Sequence, residues 1–238
     1  MLNANSFFDL DSFEHAALFE GITNVWEALA RIKSYLETYF QSHGPQILGE
    51  VDPGAFLSDD SIFLGEGSVV EAGAYIAGPT HIGRNTVIRH GAYIRGNVVI
   101  GDHCIVGHAS EVKNAIMLDG SHAPHFAYVG DSILGNRVNL GAGTKLSNLT
   151  VVSIKDPIAG KRPTLEITIG GVLCDTGLDK LGAILGDDVQ TGCNTVTNPG
   201  CLIGPRTLVY SNVSLRKGYY PPDSIIKLRQ TLEVVQRD

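Results

Sequence analysis

The sequence predicts a mainly β chain: a parallel β-helix of hexapeptide repeats preceded by a short helical arm. Three observations point there. Aliphatic residues recur at every sixth position from Leu64 through Val70, Ile76, Ile82, Ile88, Ile94, Ile100, Val106 and Val112 to Leu118. Several are followed directly by glycine, at Gly65, Gly83, Gly101 and Gly107. The chain holds 28 glycines and only 7% aromatics, which suits narrow coils with tight corners. A period of six matches neither a helix nor an ordinary two-period strand, so the repeat is itself the structural unit. Three six-residue faces close one coil of eighteen residues. Each inward aliphatic then stacks on its counterpart one coil above, and the glycines are expected to close the turns.

Residues 1–45 differ in kind and read as a helical arm packing on the coil. Asp11 or Ser12 can cap a short helix carrying Phe13, Ala16, Ala17 and Leu18. Thr23 or Asn24 can cap a second, with Trp26, Leu29, Ile32, Tyr35, Leu36 and Tyr39 at helical spacing; Gly44-Pro45 ends it. The aromatic stripe reads as core or subunit interface. The β-helix occupies residues 46–220. Its first coils run to Met117, and the register slips between Leu118 and Val129, where a loop or altered turn is expected. It recovers at Leu134, Leu140 and Leu146. Residues 149–182 have no hexad register. Turn-like Lys155-Asp156-Pro157 and Ala159-Gly160-Lys161, and alternation over Thr164–Ile169, predict a hairpin excursion from the coil. Loops that long in compact scaffolds are usually functional or disordered. The register resumes at Leu185, Thr191, Thr197, Ile203, Val209 and Leu215. Residues 221–238, after Pro221-Pro222, form a tail.

Net charge is −7 with no basic block, which argues against nucleic acid and anionic membranes as partners. No signal-peptide pattern or span of about 18 apolar residues appears, so a cytoplasmic protein is expected. Cys104, Cys174, Cys193 and Cys201 lack metal-pair spacing and read as free thiols in a reducing compartment. Zinc-dependent carbonic anhydrases on β-helices need three imidazoles, the second two coils beyond the first and the third five residues later. From His81 this gives Met117 and His122. His103 and His108 have the five-residue spacing, but two coils before His103 lies Gly67. No metal site is therefore expected, and His103 and His108 read as polar turn residues.

The coil length makes a geometric prediction. Residues eighteen apart sit above one another at about 4.8 Å, the spacing of adjacent strands. Arg95 and Lys113 are such a pair. Two stacked cations repel unless an anion lies between them, so a phosphate site and a solvated surface pair are the alternatives.

Three further runs follow: Glu111-Val112-Lys113-Asn114-Ala115, Pro124-His125-Phe126-Ala127-Tyr128-Val129-Gly130-Asp131 and Val138-Asn139-Leu140-Gly141-Ala142-Gly143-Thr144. Together they resemble the hexapeptide-repeat transferases. The likeness is to the acetyltransferase half of the bifunctional enzymes that make N-acetylglucosamine 1-phosphate and then its UDP-sugar. The chain is especially like archaeal-type relatives with a long excursion after the Gly-Ala-Gly segment. The resemblance covers about residues 60–229 and is most specific from Lys113 to Asn148. It implies left-handed coils, a homotrimer with active sites between subunits, and acetyl-CoA-dependent N-acetylation of an amino-sugar 1-phosphate, glucosamine 1-phosphate first. It implies no metal for acetyl transfer. Arg95 and Lys113 match sugar-phosphate contacts, His125 the catalytic histidine, and Tyr128 and Asn139 substrate-binding positions. Asn148 matches an asparagine near the acetyl group. Gly141-Ala142-Gly143 matches the segment lining the acetyl-CoA site. Cys193 and Ser211 match coenzyme contacts on adjacent coils, and Lys227 or Arg229 a C-terminal arginine meeting the coenzyme phosphates.

Two positions depart from the pattern. The family lysine six residues after the asparagine falls at Ile154, with Lys155 and Lys161 as substitutes, and Cys193 stands where serine is typical. In related enzymes a helix like Asn24–Leu29 leads from a nucleotidyltransferase domain into the β-helix. No glycine-rich nucleotide loop precedes it here, so no uridylyltransferase activity is expected. The residue types suit the chemistry: an amine attacking a thioester must lose a proton, and histidine is matched to that at neutral pH. Two alternatives stay open. One is a non-catalytic β-helix serving assembly or sugar-nucleotide sensing beside a separate nucleotidyltransferase. The other is a different acceptor such as galactosamine 1-phosphate.

Overall fold

In the computed structural model, which describes residues 2–58 and 60–236, the chain is the parallel β-helix with a helical arm that the hexad repeat predicts. Among the described residues the coil strands form three parallel sheets of nine, nine and eight strands, with a two-stranded hairpin apart from them. Successive strands pass to successive faces, so each sheet is built from every third coil strand. The first face runs from Gln46–Ile47 to Gly218–Tyr220, the second from Glu50–Val51 to Ile225–Ile226, and the third from Phe56–Leu57 to Ser214–Leu215. Ile225–Ile226 falls in the stretch the sequence assigns to the tail. It stays in the coil because Ile226 still packs on the core.

The register is not eighteen throughout. Ile82 stands opposite Ile100, eighteen residues on, but Ile100 stands opposite Met117, seventeen on, and Val106 opposite Ala123. One residue is missing from this coil. Met117 therefore takes the inward place expected for Leu118, and Leu118 is buried outside the coil, beneath the arm. The expected loop between Leu118 and Val129 is instead continued coil, with strand His122–His125 on the second face.

The glycines after the aliphatics also serve a purpose other than the expected one. A Cβ on Gly83 would lie 2.6 Å from the carbonyl carbon of Gly101, and one on Gly107 only 1.6 Å from the Pro124 oxygen. Here the coils approach too closely for any side chain. The left-handed corner residue comes two positions later, at Asn85 (φ 52°), His103 (φ 57°) and Ala109 (φ 51°).

The arm covers the outer side of the first face. Its helix, α1 (Glu27–His43), buries Ala28, Leu29, Ile32 and Leu36, and ends at Gly44 with φ 68°. The stripe thus packs as core. Its start differs from the expected cap: the Glu27 carboxylate accepts from the backbone N–H groups of Thr23 and Asn24 at 3.2 and 3.0 Å. The shorter helix is a single 3₁₀ turn, Ala16–Phe19, with no side-chain cap. Four residues are too few to sustain an α-helix. Asp187, 7% exposed, clamps the arm to the coil by accepting from the Asp9 N–H at 2.8 Å and the Asn136 N–H at 2.7 Å.

The excursion carries the antiparallel hairpin Glu166–Ile169 and Val172–Asp175. Leu165, Ile167 and Leu181 join the cluster under the arm, whereas Val151, Val152, Ile154 and Ile158 are exposed. The outer sides of the second and third faces keep large apolar side chains partly in solvent: Tyr75, Tyr93, Leu208 and Ile225. Among the described residues no helix is long and apolar enough to cross a membrane.

Candidate functional site

The third face places Arg95 on strand Tyr93–Arg95 and Lys113 on the next strand, Glu111–Lys113. They are stacked as the eighteen-residue spacing predicts, but they do not face a shared anion. Each has a carboxylate of its own. Arg95 donates to Glu111 at 2.7 Å, and Lys113 Nζ lies 3.4 Å from Asp131 Oδ2. Asp131 is 5% exposed and adopts φ 47° at the corner after Gly130. A carboxylate buried that far needs partners on both oxygens. Asn114 Nδ2 donates to Oδ1 at 2.8 Å, and Asn148 Nδ2 donates to Oδ2. Tyr128 lies on the strand above Glu111. Burial pushes its phenol up, Glu111 and Asp131 add to the shift, and a hydrogen bond with Asn148 partly offsets it. The Arg95–Glu111 pair is partly exposed, at 41% and 32% of the side chains, so an incoming phosphate can compete for the guanidinium.

His125 ends its strand at the corner between the second and third faces and is exposed. Beneath it lie His108, its Cα partner, and His90, whose ring stacks on His108 at 5.6 Å and 6°. Continuing the register upward puts Ala142, Cys193 and Ser211 in the same column. Corner hydrogen bonds bind this stack: Gly143 N–H to the His125 carbonyl at 3.0 Å, Asn194 N–H to Ala142 at 2.8 Å, and Asn212 N–H to Cys193 at 2.9 Å. Cys193 and Ser211 are exposed, so the column presents an imidazole and then an open strip of small side chains.

A sequence profile described as the GMPPB C-terminal domain matches residues 76–198, just over half of the chain. The chain belongs to this family. Among curated proteins it is similar to a bifunctional sugar-1-phosphate nucleotidylyltransferase/acetyltransferase of Sulfurisphaera tokodaii, 35% identical over 98 residues. That match covers 41% of this chain and 22% of the relative. A bifunctional protein GlmU of Methanococcus maripaludis is 35% identical over 106 residues, covering 42% and 22%. The chain thus spans about a fifth of the length of these relatives. Among solved structures it is similar to the UDP-N-acetylglucosamine acyltransferase of Francisella novicida, at 14% identity and a TM-score of 0.48, covering 72% of this chain and 62% of that one.

The segment matched to the GMPPB C-terminal domain contains Arg95, Lys113, His125, Tyr128, Asn139, Ala142, Asn148 and Cys193; Ser211, Lys227 and Arg229 lie beyond it. The structure brings Lys113 and Asn148 together through Asp131. Asn139 sits elsewhere, on the second face between His122 and Gln190. Lys227 lies over the Tyr210 ring at 4.9 Å, and Arg229 is exposed past the last strand. Ile154 is 79% exposed in the excursion, with Lys155 and Lys161 near it, all outside the coil. Open grooves of about 580 and 420 Å³ lie on the arm and its junction with the coil, lined by residues such as Tyr35 and Phe40, away from His125.

Sequence reasoning missed Asp131, Asn114 and Glu111 as the groups that organise the third face. The available signal was spacing: Asp131 lies seventeen residues from both Asn114 and Asn148. A coil of constant eighteen hides that column.

Proposed function

We propose that this chain is an acetyl-CoA-dependent N-acetyltransferase acting on an amino-sugar 1-phosphate, glucosamine 1-phosphate first. The observation that carries the reading is the column of His125, Ala142, Cys193 and Ser211 at an open corner, in a chain that also stacks Arg95, Lys113 and Tyr128 on the adjoining face. Coenzyme A runs along the small residues Ala142, Cys193 and Ser211, with Lys227 or Arg229 at its phosphates. Arg95, Lys113 and Tyr128 hold the sugar phosphate, and Asn139 and Asn148 orient the sugar and the acetyl group. The sugar amine attacks the thioester carbonyl. A C–N bond forms, the C–S bond breaks, and the amine proton passes to the His125 imidazole before reaching the departing thiolate. The second and third faces stay open in one chain, so a cyclic homotrimer would wall the corner with a neighbour's face and bring Asn139 to it from another copy. Free thiols suit a reducing, cytoplasmic setting.

Two observations favour a second reading. Arg95 and Lys113 are already neutralised by Glu111 and Asp131, and Ile154 stands where the related enzymes have lysine. That suits a non-catalytic β-helix working in assembly or sugar-nucleotide sensing with a separate nucleotidyltransferase. Thiol release from acetyl-CoA, measured with glucosamine 1-phosphate and galactosamine 1-phosphate, separates the two. The enzyme reading expects turnover with one of them and a fall on the order of 10²–10⁴-fold in His125→Ala, with unchanged circular dichroism. No turnover with any amino-sugar phosphate supports the second reading. Full turnover in His125→Ala excludes that residue as the base.

A further inference from the structure

The outward column of the first face reads Phe63, His81, Val99, Ile116, Ile133, Ile184, Leu202 and Tyr219. His81 is the exception in an otherwise aliphatic or aromatic-hydrocarbon stripe closed at its end by Tyr219. It is 1% exposed. Its ring lies flat on Phe63, 4.4 Å between centroids and 6° between planes, with the Tyr39 edge 5.1 Å away. Its Nδ1 is 3.0 Å from His15 Nε2, and His15 Nδ1 is 2.9 Å from the Tyr35 hydroxyl. Its Nε2 is buried and, among the described residues, makes no hydrogen bond.

That orphan nitrogen looks into a cavity of about 250 Å³ between arm and coil. Three carboxylates line the cavity: Glu14, Asp102 and Asp119. Arg84, the basic residue on its wall, is exposed. Glu14 Oε1 lies 3.9 Å from His81 Nε2. Ligand atoms of Glu14, His15 and His81 all fall within 4.8 Å of one another. Two relays satisfy the other ring nitrogens. In one, Tyr35 O–H donates to His15 Nδ1 and His15 Nε2–H to His81 Nδ1, and His81 Nε2 keeps the proton. In the other, His81 Nδ1–H donates to His15 Nε2 and His15 Nδ1–H to the Tyr35 oxygen, and the Nε2 lone pair stands beside the Glu14 carboxylate, an arrangement that a cation selects by lying between them. Zinc binds imidazole nitrogen and carboxylate oxygen at about 2.0–2.2 Å, so two ligand atoms on one tetrahedral ion are about 3.3 Å apart. The observed 3.9 Å is longer than that, and the Glu14 side chain, 51% exposed, is free to close the difference.

We propose that His81 Nε2 and the Glu14 carboxylate bind one divalent transition-metal ion, with zinc the best match to the donor set. His15 and Tyr35 fix the His81 ring through its other nitrogen, the usual support of a metal-bound imidazole. Asp102 and Asp119 supply negative charge around the waters that complete the coordination. The ion joins residue 14 of the arm to residue 81 of the coil and staples one to the other. Spacing within the coil cannot reveal such a site, because half of it comes from the arm.

The test uses the full chain stripped with EDTA and titrated calorimetrically with zinc chloride, on the parent and on Glu14→Gln, His81→Gln and His108→Ala. His108→Ala controls for the exposed imidazole column at the other corner. The expected result is one equivalent bound at micromolar affinity or tighter, at least tenfold weaker in Glu14→Gln, and unchanged in His108→Ala. Zinc should raise the melting temperature of the parent and not that of Glu14→Gln. Glu14 is 51% exposed, so its variant folds and decides the matter even if His81→Gln does not. Failure to bind zinc, unaltered affinity in Glu14→Gln, or loss of binding in His108→Ala would each overturn the proposal.

Discussion

Replacing Asp131 with asparagine tests whether the third face is organised around one carboxylate. Oδ1 accepts from Asn114 at 2.8 Å, while Oδ2 accepts from Asn148 and from Lys113 at 3.4 Å. A carboxylate offers acceptors on both sides. An amide offers one oxygen and one NH₂ group. In either orientation the NH₂ meets a donor: the Asn114 amide, or the Asn148 amide together with the Lys113 ammonium. A buried polar group left unsatisfied costs about 1–3 kcal/mol. Losing the charge partner of Lys113, whose side chain is 26% exposed, adds on the order of 1 kcal/mol. The sum is about 2–4 kcal/mol. For a chain of this size each kcal/mol lowers the melting temperature by roughly 2–4 °C, so a fall of about 4–16 °C is expected. Thermal and urea unfolding followed by circular dichroism measure it. An Asp131→Asn protein within about 0.5 kcal/mol of the parent would show that these amides are served by solvent and that the network is incidental.

Two other perturbations probe the coil corner and the arm. Burial pushes the Cys104 and Cys201 thiols up to about 12, while Cys193 is exposed and Cys174 half-buried. A thiol reagent at pH 8 should therefore label Cys193 fast, Cys174 more slowly, and Cys104 and Cys201 only after unfolding; a fast phase that survives Cys193→Ser contradicts the placement. Asp187→Ala strands the Asp9 and Asn136 N–H groups and should cost about 2–3 kcal/mol. Hydrogen exchange should rise across residues 2–43 in that variant, and unchanged protection there would mean that the apolar contacts hold the arm without the clamp.

The hexad made the faces legible as far as Val112, because each sixth residue is aliphatic and inward. It failed at Met117 and Leu118 for a physical reason. The first face is buried on both sides, by the coil interior within and by the arm without, so both residues are apolar and neither marks the inward position. The amphipathic stripe of α1 was equally legible, at Leu29, Ile32 and Leu36, while its cap was not, since Glu27 reaches back instead of Asn24 reaching forward. For the candidate site, the stacking of Arg95 and Lys113 followed from coil length alone. The partners of those cations did not. Glu111 was in view without a role. Asp131 lies eighteen residues past Lys113, so coil length placed it there, but its links to Asn114 and Asn148, seventeen residues away on either side, only the shortened coil reveals.

The arm's position bears on where chemistry can occur. An outward first face rich in Val99, Ile116, Ile133, Ile184 and Leu202 would aggregate or associate if bare, and the arm and hairpin bury it within the same chain. That leaves the second and third faces as the surfaces a second copy can use. Their outward residues mix apolar groups, Tyr75, Tyr93, Leu208 and Ile225, with the polar ones that the proposed reaction needs, Arg95, Lys113, Tyr128 and Asn139. His125 stands at the corner these two faces share. Association through those faces would draw the corner into a cleft and place groups held apart in one chain within reach of one substrate. Association through the first face would leave the corner open and would first require the arm to detach. The arm therefore does more than complete a core: by closing one face it would confine the proposed assembly to the two that carry the candidate site.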